Sequence, residues 1–149
     1  MIRSTLTLGE VYKLYTELTG LFQGTQVIQG LMGQSLDLSF KFDLTQLLKK
    51  LQSHIEDIDK LRNDLIGKYG VEKDGMTSIP SEVEIEEDGE TKTVPNPVLA
   101  EVREQLDGLM NKEVVIEHTP FEKDQLKGIK TGEHYPAFFQ LIENSSQPL

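Results

Sequence analysis

Apolar residues at spacings of three and four run along most of this chain, beginning just after Thr7-Leu-Gly-Glu10. That tetrapeptide has the form of a capping box, in which the Thr7 hydroxyl accepts a first-turn amide and the Glu10 carboxylate reaches back. Val11, Leu14, Leu18 and Leu21 then mark one apolar stripe, predicting a helix that ends between Gly20 and Gly24. Residues 24–34 hold three glycines and read as a turn or a short helix. Over residues 35–43 two periods overlap. Leu36, Leu38, Phe40 and Phe42 alternate as in a strand, while Leu36, Phe40, Leu44, Leu47 and Leu51 form a helical stripe. Asp43-Leu-Thr-Gln46 has capping-box form and would start a helix after such a strand. The helical reading is taken from about Leu38 onward.

From Leu44 the helical period stands alone. Leu44, Leu47, Leu48, Leu51, Ile55, Ile58, Leu61, Leu65, Ile66 and Tyr69 keep it, and Lys49, Lys50, Glu56, Asp57, Asp59, Lys60 and Arg62 fill the other face. A helix over 44–69 would be about 39 Å long, more than a compact domain of this size needs. It either packs along its length or carries its end to a partner. Gly70 is the expected C′ residue, and Lys68 complements the C-terminal dipole.

A polar loop, residues 71–75, leads to a hairpin centred on Asp88-Gly89, a type I′ turn pair. That centre sets Glu87 opposite Glu90, Ile85 opposite Lys92 and Val83 opposite Val94. Val83, Ile85 and Val94 then share one face, and Glu84, Glu86, Thr91 and Thr93 the other. A two-stranded ribbon alone is marginal in water, and Glu113-Val-Val-Ile-Glu117 is the candidate for its third strand. Pro95-Asn96-Pro97 restarts a helix with Asn96 as N-cap and Pro97 at N1, its stripe formed by Val98, Val102, Leu106 and Leu109. Phe121 and Leu126 are apolar anchors in a polar loop, residues 135–143 form a last amphipathic helix, and residues 144–149 read as a tail. The expected class is α+β, mostly α: a helical bundle built on the long helix (about 38/44–69), with a small antiparallel sheet from 82–94 and 113–117. Residues 1–143 would be one domain, with the acidic hairpin inserted at 77–95.

Charge changes this picture. Residues 1–70 hold eight Lys/Arg and eight Asp/Glu, whereas residues 71–149 hold seven and seventeen, so the whole net charge of −10 lies in the second half. Glu82, Glu84, Glu86, Glu87, Asp88 and Glu90 fall within nine positions and are the candidate partner-binding residues. The fifteen Lys/Arg are scattered, which argues against direct nucleic-acid binding. No run approaches a membrane span or a signal-peptide core. The absence of cysteine removes disulfides and thiolate chemistry, and fits a reducing cytosol.

Candidate chemistry is sparse. His54 and Asp57 stand three apart on the long helix, but no third metal ligand is evident; His118 and His134 have no zinc or triad spacing. The hairpin carboxylates alternate on a solvated ribbon, which is a poor setting for acid–base work. Glu72–Gly75 is too short for a calcium loop, and Glu86–Glu90 offers a divalent ion only a weak seat. Phosphate loops, Gly-x-Ser-x-Gly and His-Glu-x-x-His are absent. The expectation is a non-enzymatic protein without cofactor or metal.

Leu6-Thr-Leu-Gly-Glu-Val11, Leu47-Leu-Lys-Lys-Leu51, Arg62-Asn-Asp-Leu-Ile-Gly-Lys-Tyr-Gly70 with Lys73-Asp-Gly75, Glu113-Val-Val-Ile-Glu117 and Phe139-Gln-Leu-Ile-Glu143 resemble, in order and wording, small uncharacterised acidic helical proteins of tailed bacteriophages. The charged hairpin is longer than that pattern leads one to expect. The resemblance carries no functional residues across. It implies viral origin, residence in the host cytoplasm or the virion, and work by protein–protein binding, with self-association open. Two readings follow: a virion or assembly accessory component, and an intracellular inhibitor that lays its acidic surface on a host defence or nucleic-acid-processing complex.

Overall fold

The computed structural model describes residues 1–23, 26–126 and 135–145 of the chain. The architecture is α+β, with four α-helices and small antiparallel two-stranded ribbons among the described residues. The order is β1 (Ile2–Thr7), α1 (Leu8–Thr19), β2 (Gly20–Gln23), β3 (Gln26–Gln29), α2 (Leu38–Tyr69), β4 (Val71–Lys73), β5 (Met76–Ser78), β6 (Glu82–Glu87), β7 (Glu90–Pro95), α3 (Pro97–Met110), β8 (Glu113–His118) and α4 (Pro136–Ser145). Short 3₁₀ turns occupy Leu31–Gly33 and Lys123–Leu126. Among the described residues no helix is long and apolar enough to cross a membrane. The chain divides into two compact units, Met1–Glu56 with Asn111–Leu149, and Asp57–Met110.

The first unit holds most of the core. Val11, Leu14 and Leu18 of α1, Phe40, Leu44, Leu47, Leu51 and Ile55 of α2, and Phe138, Leu141 and Ile142 of α4 are all buried. Phe40, Phe121 and Phe138 meet with ring centroids 5.3–6.2 Å apart in tilted and edge-on pairs, the geometry that aromatic quadrupoles favour. Phe121 and Leu126 are thus the anchors their isolation in a polar loop suggested. Thr7 caps α1 as expected: its hydroxyl accepts the Glu10 amide at 3.1 Å and donates to the Glu10 carboxylate at 3.1 Å. The next orphan amide, Leu8 N–H, donates to Lys112 O at 2.8 Å, tying the helix start to the approach of β8.

The Glu113–Glu117 segment is a strand but not the hairpin's third one. It lengthens to His118 and pairs antiparallel with β1, in the register Ile2↔His118, Ser4↔Ile116 and Leu6↔Val114. The cause is two matching inward faces: Ser4 and Leu6 on one strand, Ile116 and His118 on the other, are buried. The first helix ends at Gly20, the near edge of the expected range, so Leu21 falls in β2 and not on the helical stripe. Gly20 takes φ +120°, its N–H closes on Thr16 O, and the chain leaves α1 into β2; within 24–34, Gln26–Gln29 is strand β3 and Leu31–Gly33 a short 3₁₀ turn. Asp43 starts nothing. The helix is already running from Leu38, with Lys41 N–H on Asp37 O. The last helix extends to Ser145, so the tail reading at 144–149 overshoots by two residues; 146–149 fall outside the described residues.

In the second unit α2 closes at Gly70, whose N–H donates to Ile66 O at 2.7 Å. Gly70 does not adopt positive φ; a Cβ there would lie 2.3 Å from Ile66 O, so its lack of a side chain is what serves. Residues 71–75, expected to be a polar loop, instead form β4 and the turn of the β4–β5 ribbon, which Asp74 (φ 54°) and Gly75 (φ 78°) close. That pair repeats the conformation of Asp88 (φ 53°) and Gly89 (φ 78°), which turn β6 into β7 in the expected register. Buried side chains in this unit are Ile58, Asn96 and Val102; Val98, Leu106 and Leu109 of the α3 stripe are only half-buried.

Gly30 gives the first unit a sharp test. A Cβ there would sit 2.4–2.6 Å from backbone atoms of Leu18, Thr19 and Gly20, none of which can swing aside. Gly30→Ala is expected to cost roughly 1–3 kcal/mol or more, read as a fall in the urea midpoint at unchanged slope. A midpoint at the wild-type value contradicts this packing.

Candidate interaction surface

The β6–β7 hairpin sorts its acids by strand parity. Glu82, Glu84 and Glu86 share one face with Thr91 and Thr93; Glu87 and Glu90 lie on the other with Val83, Ile85, Lys92 and Val94; Asp88 is in the turn. All six residues are exposed, and strand parity divides them between the two faces and the turn. Lys92 Nζ reaches Glu87 at 3.7 Å, an exposed pair across the ribbon of little energetic weight. Val83 and Val94 are half-buried, while Ile85 remains 40% exposed.

Asn96 holds the base of the ribbon. Its backbone N–H donates to Ser81 O at 3.0 Å and its side-chain Nδ2 to Pro80 O at 2.9 Å, while its Oδ1 accepts Val98 N–H at 3.1 Å. One buried side chain therefore caps α3 and fastens the Pro80-Ser81 segment that leads into β6. The cap was legible from Asn96-Pro97. The bond across sixteen residues was not, since nothing in Pro80-Ser81 marks it.

Among the described residues no group of three His, Asp or Glu side chains comes together to hold a metal. His54 is half-buried on α2, and His134 lies outside the described residues. His118 is the histidine the structure makes notable. It is 3% exposed, its Nε2 lies 2.7 Å from Ser4 Oγ, its Nδ1 lies 2.8 Å from Thr119 O, and its ring stacks on Phe121 at 5.5 Å. The carbonyl can only accept, so Nδ1 carries the proton and Nε2 accepts from the Ser4 hydroxyl. Burial pushes the His118 pKa below the ordinary 6.5, outweighing the Thr119 bond that raises it; the Lys50 and N-terminal charges push the same way. A hydroxyl on an oriented imidazole is also how a serine nucleophile is activated. Here, however, the hollow of about 300 Å³ that borders His118, Lys50, Asp43 and Phe42 does not include Ser4 in its lining. The pair is a polar lock inside the β1–β8 ribbon. Ser4 escaped notice in the sequence because a lone serine near a chain end carries no periodic signal; its place between Ile2 and Leu6 was the available one.

Glu17 is the second perturbed group. Its two carboxylate oxygens accept the N–H groups of Ala137 and Phe138 at 2.9 and 3.0 Å, capping α4 from α1 across 120 residues. Burial raises its pKa above 4.5, partly offset by those two bonds.

Comparison with protein-family models, with curated proteins and with solved structures yields no match.

Two outcomes test these contacts. His118 is held neutral when folded, so its contribution to stability is complete above about pH 6.5 and is lost as pH falls through its lowered folded value. The stability difference between wild type and His118→Gln is expected to shrink between pH 7.5 and pH 5; a constant difference contradicts the assignment. Asn96→Ala removes the cap and the Pro80 bond, and is expected to cost about 1–2 kcal/mol with faster amide exchange at Val98 and along β6.

Proposed function

We propose that this chain is a non-enzymatic bacteriophage protein that acts by docking another protein, as a virion or assembly accessory component, and that residues 57–110 are its docking unit. One observation carries the reading. Those 54 residues hold six Lys/Arg and fourteen Asp/Glu, a net charge of −8, yet bury only Ile58, Asn96 and Val102. Hydrophobic burial is the main driving force for folding, and a segment that buries so little has apolar area left for a partner. Val71, Met76 and Ile85 are exposed on it, Met76 at 74%. The charge makes a basic surface the favoured match and speeds encounter with it. Phage origin rests on the sequence resemblance.

The exposed Glu82, Glu84 and Glu86 face supports a second reading, inhibition of a host complex through a basic nucleic-acid groove. The full chain, tagged and expressed during infection, separates the two. Recovery of particle proteins, with the chain present in purified particles by mass spectrometry, is the expected result. Recovery of a host nucleic-acid enzyme instead favours inhibition, and particles assembling normally in a deletion strain would defeat the assembly reading. The triple variant Glu84→Lys, Glu86→Lys, Glu87→Lys is expected to lose partner capture at least tenfold while its urea midpoint stays within about 0.5 kcal/mol of wild type. Undiminished capture would remove the hairpin from the interface.

A further inference from the structure

Within residues 57–110 a groove of about 260 Å³ runs between Leu61, Asp64, Leu65 and Lys68 of α2 and Gln105 and Leu109 of α3. Its floor is leucine, and Leu61 is 45% exposed. Asp64 is the acid in the lining; by helical spacing Asp57 lies one turn before Leu61 and Glu101 one turn before Gln105, on the same helix faces just beyond it. Lys68 is the one cation in the lining, and its ammonium sits 5.0 Å from the Tyr69 ring centroid. Tyr69 in turn donates to Glu101 at 3.2 Å.

Two glycines point the same way from independent grounds. Gly67 is three residues beyond Asp64 and Gly108 three beyond Gln105, each in the last turn of its helix, where alanine is the better helix former. A Cβ at either position would meet nothing within 4 Å. No internal contact requires these glycines, so the space they keep is available from outside the chain.

We infer that this groove seats an amphipathic helix of a partner protein, its apolar stripe on Leu61, Leu65 and Leu109, its lysines or arginines on Asp57, Asp64 and Glu101, and its backbone drawn close over Gly67 and Gly108. This deepens the docking reading and rests on it. Charge complementarity selects the occupant: a second copy would set one net −8 unit against another, whereas a basic helix neutralises the rim while filling the leucines. The span Leu61–Lys68 covers about two turns, which matches anchors at i, i+4 and i+7.

The test uses the full chain and synthetic helices of about 18 residues, long enough to hold helical structure. One carries leucines at i, i+4, i+7 and i+11 among lysines and alanines; a control carries serines at those four positions with the same charge. The chain is expected to bind the leucine helix at least tenfold more tightly than the serine control, and Leu65→Ser or Leu109→Ser is expected to erase that ratio. Gly67→Ala and Gly108→Ala guard against misfolding as the explanation. Each is expected to raise the melting temperature of the free chain, as helix propensity dictates, yet weaken leucine-helix binding about fivefold. A ratio near one, or alanine variants that bind as wild type, would overturn the proposal. So would sedimentation showing a dimer broken by Leu65→Ser, which would hand the groove to a second copy. If the ratio vanishes while hairpin-dependent capture persists, the groove fails and the docking reading stands. If capture fails while the ratio holds, the docking reading fails and the groove remains.

Discussion

Burial along α2 stops at Ile58, and the rest of the structure follows from that. The helix carries Phe40, Leu44, Leu47, Leu51, Ile55 and Ile58 fully out of water, then runs eleven more residues with Leu61 exposed and Leu65, Ile66 and Tyr69 half-buried. At 1.5 Å per residue its 32 residues span about 48 Å. With 37% apolar residues and no tryptophan, the chain has a limited supply of side chains to cover such a length. It spends them on the first unit, where α1, α4, the aromatic trio and the β1–β8 ribbon close on the front half of α2. The second unit receives charge instead of core.

Within the first unit, long-range polar bonds fix what the apolar residues leave undetermined. Glu17 caps α4 from α1, the Tyr135 hydroxyl donates to Gln29 O at 2.7 Å, and Ser4 meets His118 across the ribbon. The Lys50 ammonium, an α2 group, donates to Glu117 O of β8. Such bonds add modest net stability when made and cost considerably more when one partner is lost. Hydrophobic packing draws these elements together; the polar bonds choose a single arrangement of them.

Period and turn chemistry made the local elements legible. The Thr7 cap, the α2 stripe, the Asn96-Pro97 restart and the Asp88-Gly89 register each depend on residues within a few positions of one another. What sequence did not disclose was pairing at long range. Glu113–Glu117 was recognisable as a strand, but its partner was not, since Ile2-Arg-Ser-Thr-Leu-Thr7 has only two apolar residues at the period of two. Asp74-Gly75 carries no hairpin signal in the sequence because its flanking strands are three exposed residues each, so no alternation announces them. The six hairpin acids were equally visible in the sequence, and so was the placing of Glu84 and Glu86 on the face away from Val83, Ile85 and Val94, because the Asp88-Gly89 turn fixes the register. The α2–α3 groove was out of reach, because the spacing of leucines on two separate helices does not reveal that they line one surface.

On the proposed reading, residues 57–110 work by contact and the first unit holds the fold. Backbone amide hydrogen exchange on the full chain, alone and bound to its captured partner, tests that division most directly. The expected result is new protection in the second half of α2, the β6–β7 hairpin and α3, with β1, β8, α1 and α4 unchanged. Protection gained in the first unit, with residues 57–110 exchanging as they do in the free chain, would contradict it.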